Sequence, residues 1–304
     1  MQMTLLINSI VFIALGSVSA MPRPASAARP GRATPLIAVG PQYDTTHVYL
    51  APEAVDRFAA SFLATFGGQT TKQVVATVTP TASRTTSQLL LTPVGTVSLF
   101  GFQTPVPYPF GAERTGYLVT DLDAAVRAAR ITGAAVLVAP FPDPIGRDAV
   151  IQWPGGINTQ IYWHTKKPSY PDLRSIPENR VYVSPESAGA FIRDFLHFAH
   201  GTVESDDRGA PGREIGRPGE TYRRVRLTSR FGRVSVLVTD GHLPYPYGRE
   251  LTGYEVDQLA DTLARAKASG ATVLVPPYTA GGRQAAMVVF PGGYVAEIHA
   301  PNKG

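Results

Sequence analysis

An eleven-residue segment of this chain occurs twice, and this repeat constrains the fold more than any other feature of the sequence. Residues 107–117 read PYPFGAERTGY and residues 244–254 read PYPYGRELTGY, with eight of the eleven positions identical. The match extends well beyond this segment, because residues 116–164 correspond to residues 253–301. The chain is therefore an internal duplication, and its 304 residues are enough for two domains of ordinary size.

Each half of the chain contains the same order of secondary structure twice. Residues 47–50 form a short β run, Pro52 is placed to start a helix, and Gly67-Gly68 are placed to end it. Apolar residues recur at helical spacing between those points, and three β-rich runs follow. The order restarts at residue 116 and is repeated in the second half. The sequence predicts four βαβββ units in an α+β fold, with each consecutive pair of units forming one domain.

Two segments of the second half are rich in charged residues. The second half has gained residues within 203–219, which are charged and rich in glycine, and we expect a surface loop that carries no core. The basic segment YRRVR, residues 222–226, alternates like a strand. We expect it to be a solvated strand edge, with a patch for nucleic acid or lipid as the alternative.

The composition excludes several kinds of site. The chain has no cysteine, which excludes disulfides, thiolate metal sites and a cysteine nucleophile. It contains no glycine-rich phosphate loop, no G-x-S-x-G nucleophile elbow and no H-E-x-x-H motif. The formal net charge is +5 and the arginines are scattered, so we expect no nucleic-acid partner.

The N-terminal residues have the pattern of a signal peptide. An apolar run covers residues 5–16, and Ala25-Ser26-Ala27 forms an A-x-A cleavage site. We expect residues 1–27 to be removed and the mature chain to be periplasmic or secreted, without a transmembrane segment. An uncleaved anchor is the alternative, because no Lys or Arg precedes the apolar run. The other predicted boundaries are linkers at residues 28–44 and 166–179, and domains at residues 45–165 and 180–301.

In its order of units, and in the segments GYLVTDLDAAVRAARITGA and PGG followed by Gln or Glu, the chain resembles the vicinal-oxygen-chelate superfamily. This superfamily includes glyoxalase I, bleomycin- and fosfomycin-resistance proteins and extradiol dioxygenases. The resemblance covers residues 46–301 and implies a tandem member. Each of the two glyoxalase-like domains would be a curved mixed sheet around a cavity, with the helices outside.

The resemblance also implies a divalent metal ion, such as Zn²⁺, Ni²⁺, Mn²⁺ or Fe²⁺, held by four inward-facing side chains that are usually His and Glu. Neither domain carries a complete set, because serine is a poor ligand, leucine is none and arginine stays protonated. We therefore expect no cofactor, with a divalent metal ion as the alternative. The corresponding residues are His47, Ser98, Arg114 and Gln160 in the first domain, and Arg180, Ser235, Leu251 and Glu297 in the second.

Two arrangements of the four units remain open. If consecutive units share a sheet, which short connections favour, Arg180 and Glu297 neutralise each other across the second cavity as a bidentate pair. If the first unit pairs with the fourth, His47 meets Glu297 and His299 in one cavity and could hold a metal ion with them. The complementary cavity would then be cationic and suited to a carboxylate or phosphate, with Arg114, Arg180 and Gln160.

Period-two spacing along the strands predicts the remaining cavity lining. An aromatic, mildly polar cavity would suit a small aromatic or hydrophobic molecule, although the same side chains could simply pack the sheet interior. In the doubled segment, Tyr108, Tyr245, Glu113 and Glu250 either line a cavity mouth or stabilise a proline-fixed loop. The predicted ligand-binding residues are Tyr49, Phe100, Arg114, Tyr162, Arg180, Tyr182, Glu255 and His299, and the predicted metal ligands are His47, Gln160 and Glu297.

Three functions are compatible with these observations. The first is an exported protein that binds a small organic molecule, aromatic or a carboxylate, without a complete metal centre. The second is a metal-dependent lyase, isomerase or dioxygenase that uses His47 with Glu297 or Gln160. The third is a structural or interaction module whose cavities are vestigial.

Overall fold

Residues 36–302 are described by the computed structural model, and within them the chain forms an α+β structure with two mixed β-sheets. In this described part the first sheet contains nine strands and the second contains eight. An α-helix follows the first strand of each βαβββ unit: α1 (Val55–Phe66), α2 (Leu122–Ile131), α3 (Pro185–Ala199) and α4 (Leu259–Ala268).

The first sheet is built from the first two units, and the second sheet from the last two. The strands of the first sheet are β1 (Asp44–Leu50), β2 (Gln69–Thr70), β3 (Val74–Ala76), β4 (Thr85–Thr92), β5 (Gly95–Phe102), β6 (Thr115–Leu118), β7 (Ala135–Asp143), β8 (Gly146–Trp153) and β9 (Ile157–His164). The strands of the second sheet are β10 (Glu178–Val183), β11 (Thr202–Pro211), β12 (Thr221–Ser229), β13 (Gly232–Val238), β14 (Leu251–Glu255), β15 (Thr272–Ala280), β16 (Arg283–Val289) and β17 (Val295–Pro301).

Consecutive units share a sheet in both halves. β1 runs parallel to β5 and antiparallel to β6, which gives the order β2-β4-β5-β1-β6-β9-β8-β7, with β3 beside β4. The second sheet repeats this order as β11-β12-β13-β10-β14-β17-β16-β15. The alternative in which the first unit pairs with the fourth in one sheet is therefore wrong. The local connection between β5 and β6, residues 103–114, favours the pairing that is observed.

Alternation along the strands separates a helix-covered face from the face that carries the candidate site. On β1 and β5, Val48 and Leu99 pack in a hydrophobic core with Phe58 of α1. His47 and Phe100 are the next residues along the same strands, so they point to the opposite face and line a cavity there. The helices therefore lie outside each sheet, and the inner faces remain for a ligand or for packing.

The helix-covered faces of the two sheets share their cores. Helices α1 and α4 contact each other, and the ring of Phe58 lies 6.0 Å from that of Phe290. Helix α3 packs against β8, where the rings of Phe195 and Trp153 are 5.8 Å apart. The first unit thus meets the fourth, and the second meets the third, through these outer layers and not through a common sheet.

The inserted residues of the second half are ordered, so the expectation of a surface loop without core is wrong. Residues 203–219 contribute to β11, which pairs with β12, and to a 3₁₀ helix at Gly212–Ile215. Ala210 and Ile215 are buried in a small core with Tyr222. Because β11 is the edge strand of its sheet, it is rich in charged residues, and this composition resembles that of a loop.

The basic segment 222–226 also differs from its prediction as a solvated strand edge. It lies in β12, between β11 and β13, and is therefore an inner strand. Arg223 pairs with Asp206 at 2.8 Å, and Arg224 pairs with the buried Glu214. Carboxylates of the inserted residues thus neutralise two of the three arginines in this segment.

The predicted signal peptide, residues 1–27, and the first part of the predicted linker lie outside the described residues. Where the description begins, Ile37 is buried in the core that contains α2, and Tyr43 is buried against Leu118 of β6. Residues 36–44 therefore pack onto the first sheet. Within residues 36–302, no helix has the length and apolarity needed to cross a bilayer.

Candidate functional site

The inner face of the first sheet encloses a cavity of about 290 Å³. This volume is at the lower end of the range for small-molecule sites. Its walls combine aromatic and aliphatic side chains with polar ones. The aromatic lining is Tyr49, Phe100, Phe110, Tyr162 and Tyr170, and the polar and charged lining includes His47, Ser98, Asp143, Asp148, Gln160 and His164.

His47 of β1 is held at the cavity wall by a buried carboxylate. Its Nδ1 lies 3.5 Å from Oε1 of Glu113, and its Nε2 lies 3.3 Å from Oγ1 of Thr45. Tyr49 donates its hydroxyl hydrogen to the same Glu113 oxygen. Glu113 is fully buried, and its Oε2 accepts no hydrogen bond from the described residues. Burial, together with the charge of Glu113, raises the pKa of Tyr49 well above its usual value, so this phenol remains a hydrogen-bond donor.

Asp148 is a second carboxyl group at this cavity, and it lies on β8 opposite Tyr162 of β9. It is 5% exposed and accepts a hydrogen bond of 2.8 Å from Nε2 of Gln160. Burial and then the negative charge of Asp143 raise the pKa of Asp148 well above its usual value. An acidic group is therefore kept inside the cavity without a positively charged partner among the side chains that line its inner part.

The rim of the cavity combines apolar and charged side chains. Val74 and Ile145 line the cavity although 51% and 55% of their surfaces are exposed. Lys72 lies there too and is exposed. Burial raises the pKa of Asp143 and lowers that of His164, so the imidazole of His164 is neutral near pH 7. Apolar and charged side chains thus lie side by side at the entrance of the cavity.

The strand register places glycine at the position predicted for the third metal ligand. His47 of β1 pairs with Ser98 of β5, and in the partner unit Gln160 of β9 pairs with Gly116 of β6. Gly116 is therefore the counterpart of His47, and the assignment of Arg114 to this position is wrong by two residues. A Cβ atom on Gly116 would lie 2.3 Å from Nε2 of His47, so the imidazole fills the space above this glycine.

Arg114 lines a separate pocket of about 90 Å³ that shares Tyr49 with the cavity. Arg249 and Glu250, from the second copy of the doubled segment, line the same pocket. Burial raises the pKa of Glu250 to about 8, against the opposing effect of Arg114. The two copies of the segment have thus diverged in use, because Glu113 contacts His47 and Tyr49 behind the wall of the first cavity and Glu250 lines a pocket with Arg114.

The inner face of the second sheet is occupied by buried ion pairs. Nη1 of Arg180 lies 2.8 Å from both carboxylate oxygens of Glu297, and Arg180 and Glu297 are 2% and 1% exposed. The predicted pair therefore forms. It is not the predicted bidentate fork, because a single nitrogen makes both contacts.

Arg283 and Glu178 extend this network. Arg283 lies 3.0 Å from Glu178 and 3.3 Å from Glu297, and Nδ1 of His299 lies 3.2 Å from Glu297. Burial alone would raise the pKa of Glu297. The charges of Arg180 and Arg283 outweigh this effect and lower the pKa to about 2. The carboxylates on this face are thus neutralised by guanidinium groups of the chain itself.

The remaining predicted ligand-binding residues of the second half are Tyr182 and Glu255, and Glu255 lies 3.9 Å from His299 of this network. Tyr182 packs in a hydrophobic cluster with Tyr247 and Met287. Glu255 is partly exposed and lies 3.7 Å from Arg233. The structure therefore brings together two groups of predicted residues. Arg180, Glu297 and His299 meet in the buried network of the second sheet. The other group lines the first cavity: Tyr49, Phe100, Tyr162, His47 and Gln160.

Sequence reasoning missed Asp148, Glu178 and Arg283, and it treated Glu113 mainly as a loop residue. A signal for Asp148 was present, because a charged residue interrupts the strand GRDAVIQW at a position that alternation turns inward. No comparable signal existed for Glu178, which lies at the end of a predicted linker and whose partner Arg283 is 105 positions away.

The side chains present do not fit a divalent metal ion in either sheet. Within residues 36–302, no three His, Asp or Glu side chains come together as a set that could hold one. In the first sheet, Ser98 and Gly116 stand at two of the ligand positions, and Gln160 donates to Asp148. In the second sheet, Arg180 places a positive charge at the first ligand position. No chemistry through a metal ion follows from these donors.

No family model matches this sequence, and no curated protein is similar to it in sequence. Solved structures are similar to it in fold. A variant of 4-hydroxymandelate synthase from Streptomyces coelicolor is 12% identical with a TM-score of 0.56, and the match covers 86% of this chain and 92% of that chain. The Mn(II)-bound glyoxalase from Novosphingobium aromaticivorans is 16% identical with a TM-score of 0.51, covering 87% and 83%. The chain has the vicinal-oxygen-chelate fold.

A third similar structure is a fusion of a xylose isomerase-like TIM barrel with 4-hydroxyphenylpyruvate dioxygenase. It is 14% identical with a TM-score of 0.53, and the match covers 91% of this chain and 51% of the fusion protein. At such identities the likeness is one of fold alone. The residues of this chain must therefore be interpreted from their own geometry.

Replacing Gly116 with alanine should displace His47. The added Cβ would lie 2.3 Å from Nε2 of His47 and 2.8 Å from Oγ1 of Thr45, so the imidazole must move away from residue 116. We expect Gly116→Ala to lower the free energy of unfolding by about 1–3 kcal/mol, as overpacking does. Urea denaturation measures this loss, and NMR of the His47 imidazole measures its new environment.

Gly253 is the matched control, because it is the equivalent of Gly116 in the second sheet. Its added Cβ would lie 3.2 Å from the nearest His299 atom, a contact that a small shift relieves. Gly253→Ala should therefore cost less than Gly116→Ala. Equal losses in the two variants would contradict the close approach of His47 to Gly116.

Removing the guanidinium of Arg180 should destabilise the second sheet strongly. Arg180→Met leaves Glu297 buried without its 2.8 Å partner, and breaking a buried pair costs about 3–5 kcal/mol. Because the folded pKa of Glu297 is lowered from 4.5 to about 2, its contribution is complete above pH 4.5 and is lost as the pH falls towards 2. The free energy of unfolding of Arg180→Met should therefore differ less from that of the wild type at pH 3 than at pH 7, and denaturant unfolding at both pH values measures this.

Arg147 provides the control for this comparison. Its ion pair with Asp123 is exposed, because 41% of the Arg147 side chain and 53% of the Asp123 side chain are accessible to solvent. Arg147→Met should therefore lower the free energy of unfolding by less than about 1 kcal/mol. If the two methionine variants lose similar stability at pH 7, the buried network is not a major source of stability.

Proposed function

We propose that the cavity of the first sheet binds a small organic molecule with one aromatic ring, and that this binding needs no metal ion. The contrast between the two sheets supports the proposal. One sheet keeps a cavity of about 290 Å³ around His47, whereas the other fills the equivalent face with Arg180 and Glu297. The second sheet then serves as a structural partner, and the vestigial-cavity hypothesis applies to it alone.

The aromatic walls favour a planar, apolar ligand. The rings of Tyr49 and Phe100 are stacked with centroids 5.1 Å apart, and Phe100 meets the imidazole of His47 edge-on at 5.5 Å. Aromatic groups gain from such offset and edge-to-face contacts beyond the burial of their area. A single ring inserted beside Phe100 would extend this arrangement within the available volume.

Polar groups inside the cavity would orient that ligand. His47, Gln160 and Asp148 all line the cavity and carry hydrogen-bonding atoms. A few polar groups within an apolar lining are typical of sites for small molecules, where the apolar walls supply affinity and the polar atoms supply orientation.

The alternative is a metal-dependent lyase, isomerase or dioxygenase that uses His47 and Gln160, which line the same cavity. It is opposed by Ser98 and Gly116, which stand at the other two ligand positions. The version of this hypothesis that pairs His47 with Glu297 loses its support, since Glu297 lies in the other sheet and contacts Arg180. We also propose export to the periplasm or the medium, which rests on the apolar run at residues 5–16 and the A-x-A site that follows it.

The test is a binding assay on the purified chain after divalent metal ions have been removed with a chelator. Compounds with a single aromatic ring should raise the melting temperature, with about 2.7 kcal/mol of stabilisation at a concentration 100 times the Kd. Ser98→Phe places a ring in the cavity from β5 and should abolish the stabilisation. Addition of Zn²⁺ or Mn²⁺ should leave the affinity of the wild type unchanged.

Thr279→Phe is the control, because it adds the same ring at an exposed position of β15 in the second sheet. This variant should bind as the wild type does. Stabilisation that persists in Ser98→Phe would show that the ligand binds elsewhere, and no stabilisation by any compound would refute the proposal. Binding that requires one metal ion per chain and is lost in His47→Ala would establish the metal-dependent alternative instead.

A further inference from the structure

We propose that the first cavity selects an organic cation, an amine whose ring lies among the aromatic walls, over a carboxylate of the same size. This inference rests on the proposed function, because it names the chemical class of ligand for the same cavity.

The charged groups around the cavity are mainly acidic. Asp143 and Asp148 line it, and Glu113 lies directly behind the wall formed by His47 and Tyr49. Among the lining residues, Lys72 is the single lysine and there is no arginine, and Lys72 is exposed at the rim. Since opposite charges attract most strongly where water is excluded, the inner cavity favours a positive ligand.

The arginines predicted to recognise a carboxylate lie elsewhere. Arg114 lines the neighbouring pocket with Glu250, and Arg180 is paired with Glu297 in the second sheet. A carboxylate in the first cavity would therefore have no guanidinium to contact and would lie near the carboxyl group of Asp148. The prediction of a carboxylate ligand rested on these two arginines, and neither lines the first cavity.

Asp148 is placed to accept hydrogen bonds from an ammonium group. It is 5% exposed, and Gln160 donates to its Oδ2 at 2.8 Å, so one oxygen is already fixed in position. An ammonium group has three donors and forms stronger, charge-assisted hydrogen bonds with a carboxylate. The raised pKa of Asp148 arises from burial and from Asp143, and a bound cation would oppose both effects by stabilising the ionised form.

The aromatic walls add a second source of attraction for a cation. Tyr49, Phe100, Phe110, Tyr162 and Tyr170 line the same cavity. The faces of such rings attract cations, and the attraction is stronger when water is excluded. Carboxylates are repelled by the same faces, so the walls and Asp148 select in the same direction.

Three compounds with one ring and one polar group test the inference on the wild type at pH 7: benzylamine, benzyl alcohol and benzoate. Titration calorimetry should give an affinity for benzylamine at least about tenfold above that for benzyl alcohol, and the weakest binding for benzoate. If benzyl alcohol or benzoate binds as tightly as benzylamine, the selection of a cation is refuted while the proposed aromatic site stands. If none of the three binds, both proposals fail.

Asp148→Asn tests the residue, because asparagine keeps the shape of the side chain and removes its charge. It should weaken benzylamine binding about tenfold or more and leave benzyl alcohol binding within about twofold. Asp123→Asn removes an exposed carboxylate on α2 that faces Arg147 and should change neither affinity.

Equal losses for amine and alcohol in Asp148→Asn would overturn the assignment. If Asp148→Asn does not fold, Asp143→Asn at the rim should give the same selective loss, and an unchanged preference there would overturn it.

Discussion

Each curved sheet of this chain has an inner face that must be packed by its own side chains or left as a cavity, and this choice determines the use of each half. In the second sheet the inner face carries the charges of Arg180, Arg283, Glu178 and Glu297. Removing such groups from water costs several kcal/mol per ion, and the cost is offset when opposite charges alternate at close contact. Arg180 lies 2.8 Å from Glu297, so this face is complete without a ligand.

The first sheet has the same strand order, but different side chains on its inner face. His47 is the counterpart of Arg180, 133 positions earlier in the repeat, and it has a neutral form that a guanidinium lacks. Its imidazole lies over Gly116, where any larger residue would collide with it. The aromatic residues around it, such as Phe100, line a cavity of about 290 Å³ instead of closing it. Duplication has thus preserved the backbone while the inner side chains diverged.

The repeat was sufficient to predict the four units, because these depend on local pattern. The short connections favoured the pairing of consecutive units that is observed, but the sequence left the pairing of the first unit with the fourth open. The third ligand position was predicted at Arg114 and lies at Gly116, since a shift of two residues keeps a strand residue on the same face and periodicity cannot detect it. Residues 203–219 were misassigned because a charged edge strand has the composition of a loop.

The site itself was less predictable, because its charges are paired across distances that no local pattern records. Glu113 and His47 are 66 positions apart, and Glu178 and Arg283 are 105 positions apart. A buried carboxyl group can be identified from alternation, but its partner is known only when the sheet is assembled. The doubled segment illustrates this, since Glu113 contacts His47 and Tyr49 while its copy Glu250 faces Arg114.

Charge balance then connects the two halves to their different roles. In the second sheet the strand that begins the domain supplies a permanent positive charge, Arg180, and the carboxylates around it are neutralised inside the protein. In the first sheet the same position is His47, and both Glu113 and Asp148 remain buried without a guanidinium or ammonium partner among the described residues that contact them. A buried acidic group without a cation either keeps its proton, as the raised pKa of Asp148 indicates, or gains its counter-charge from a molecule that enters the cavity. Divergence of the inner side chains, with His47 in place of Arg180 and Gln160 in place of Glu297, therefore separates a sheet that is electrostatically closed from one that is open to a ligand.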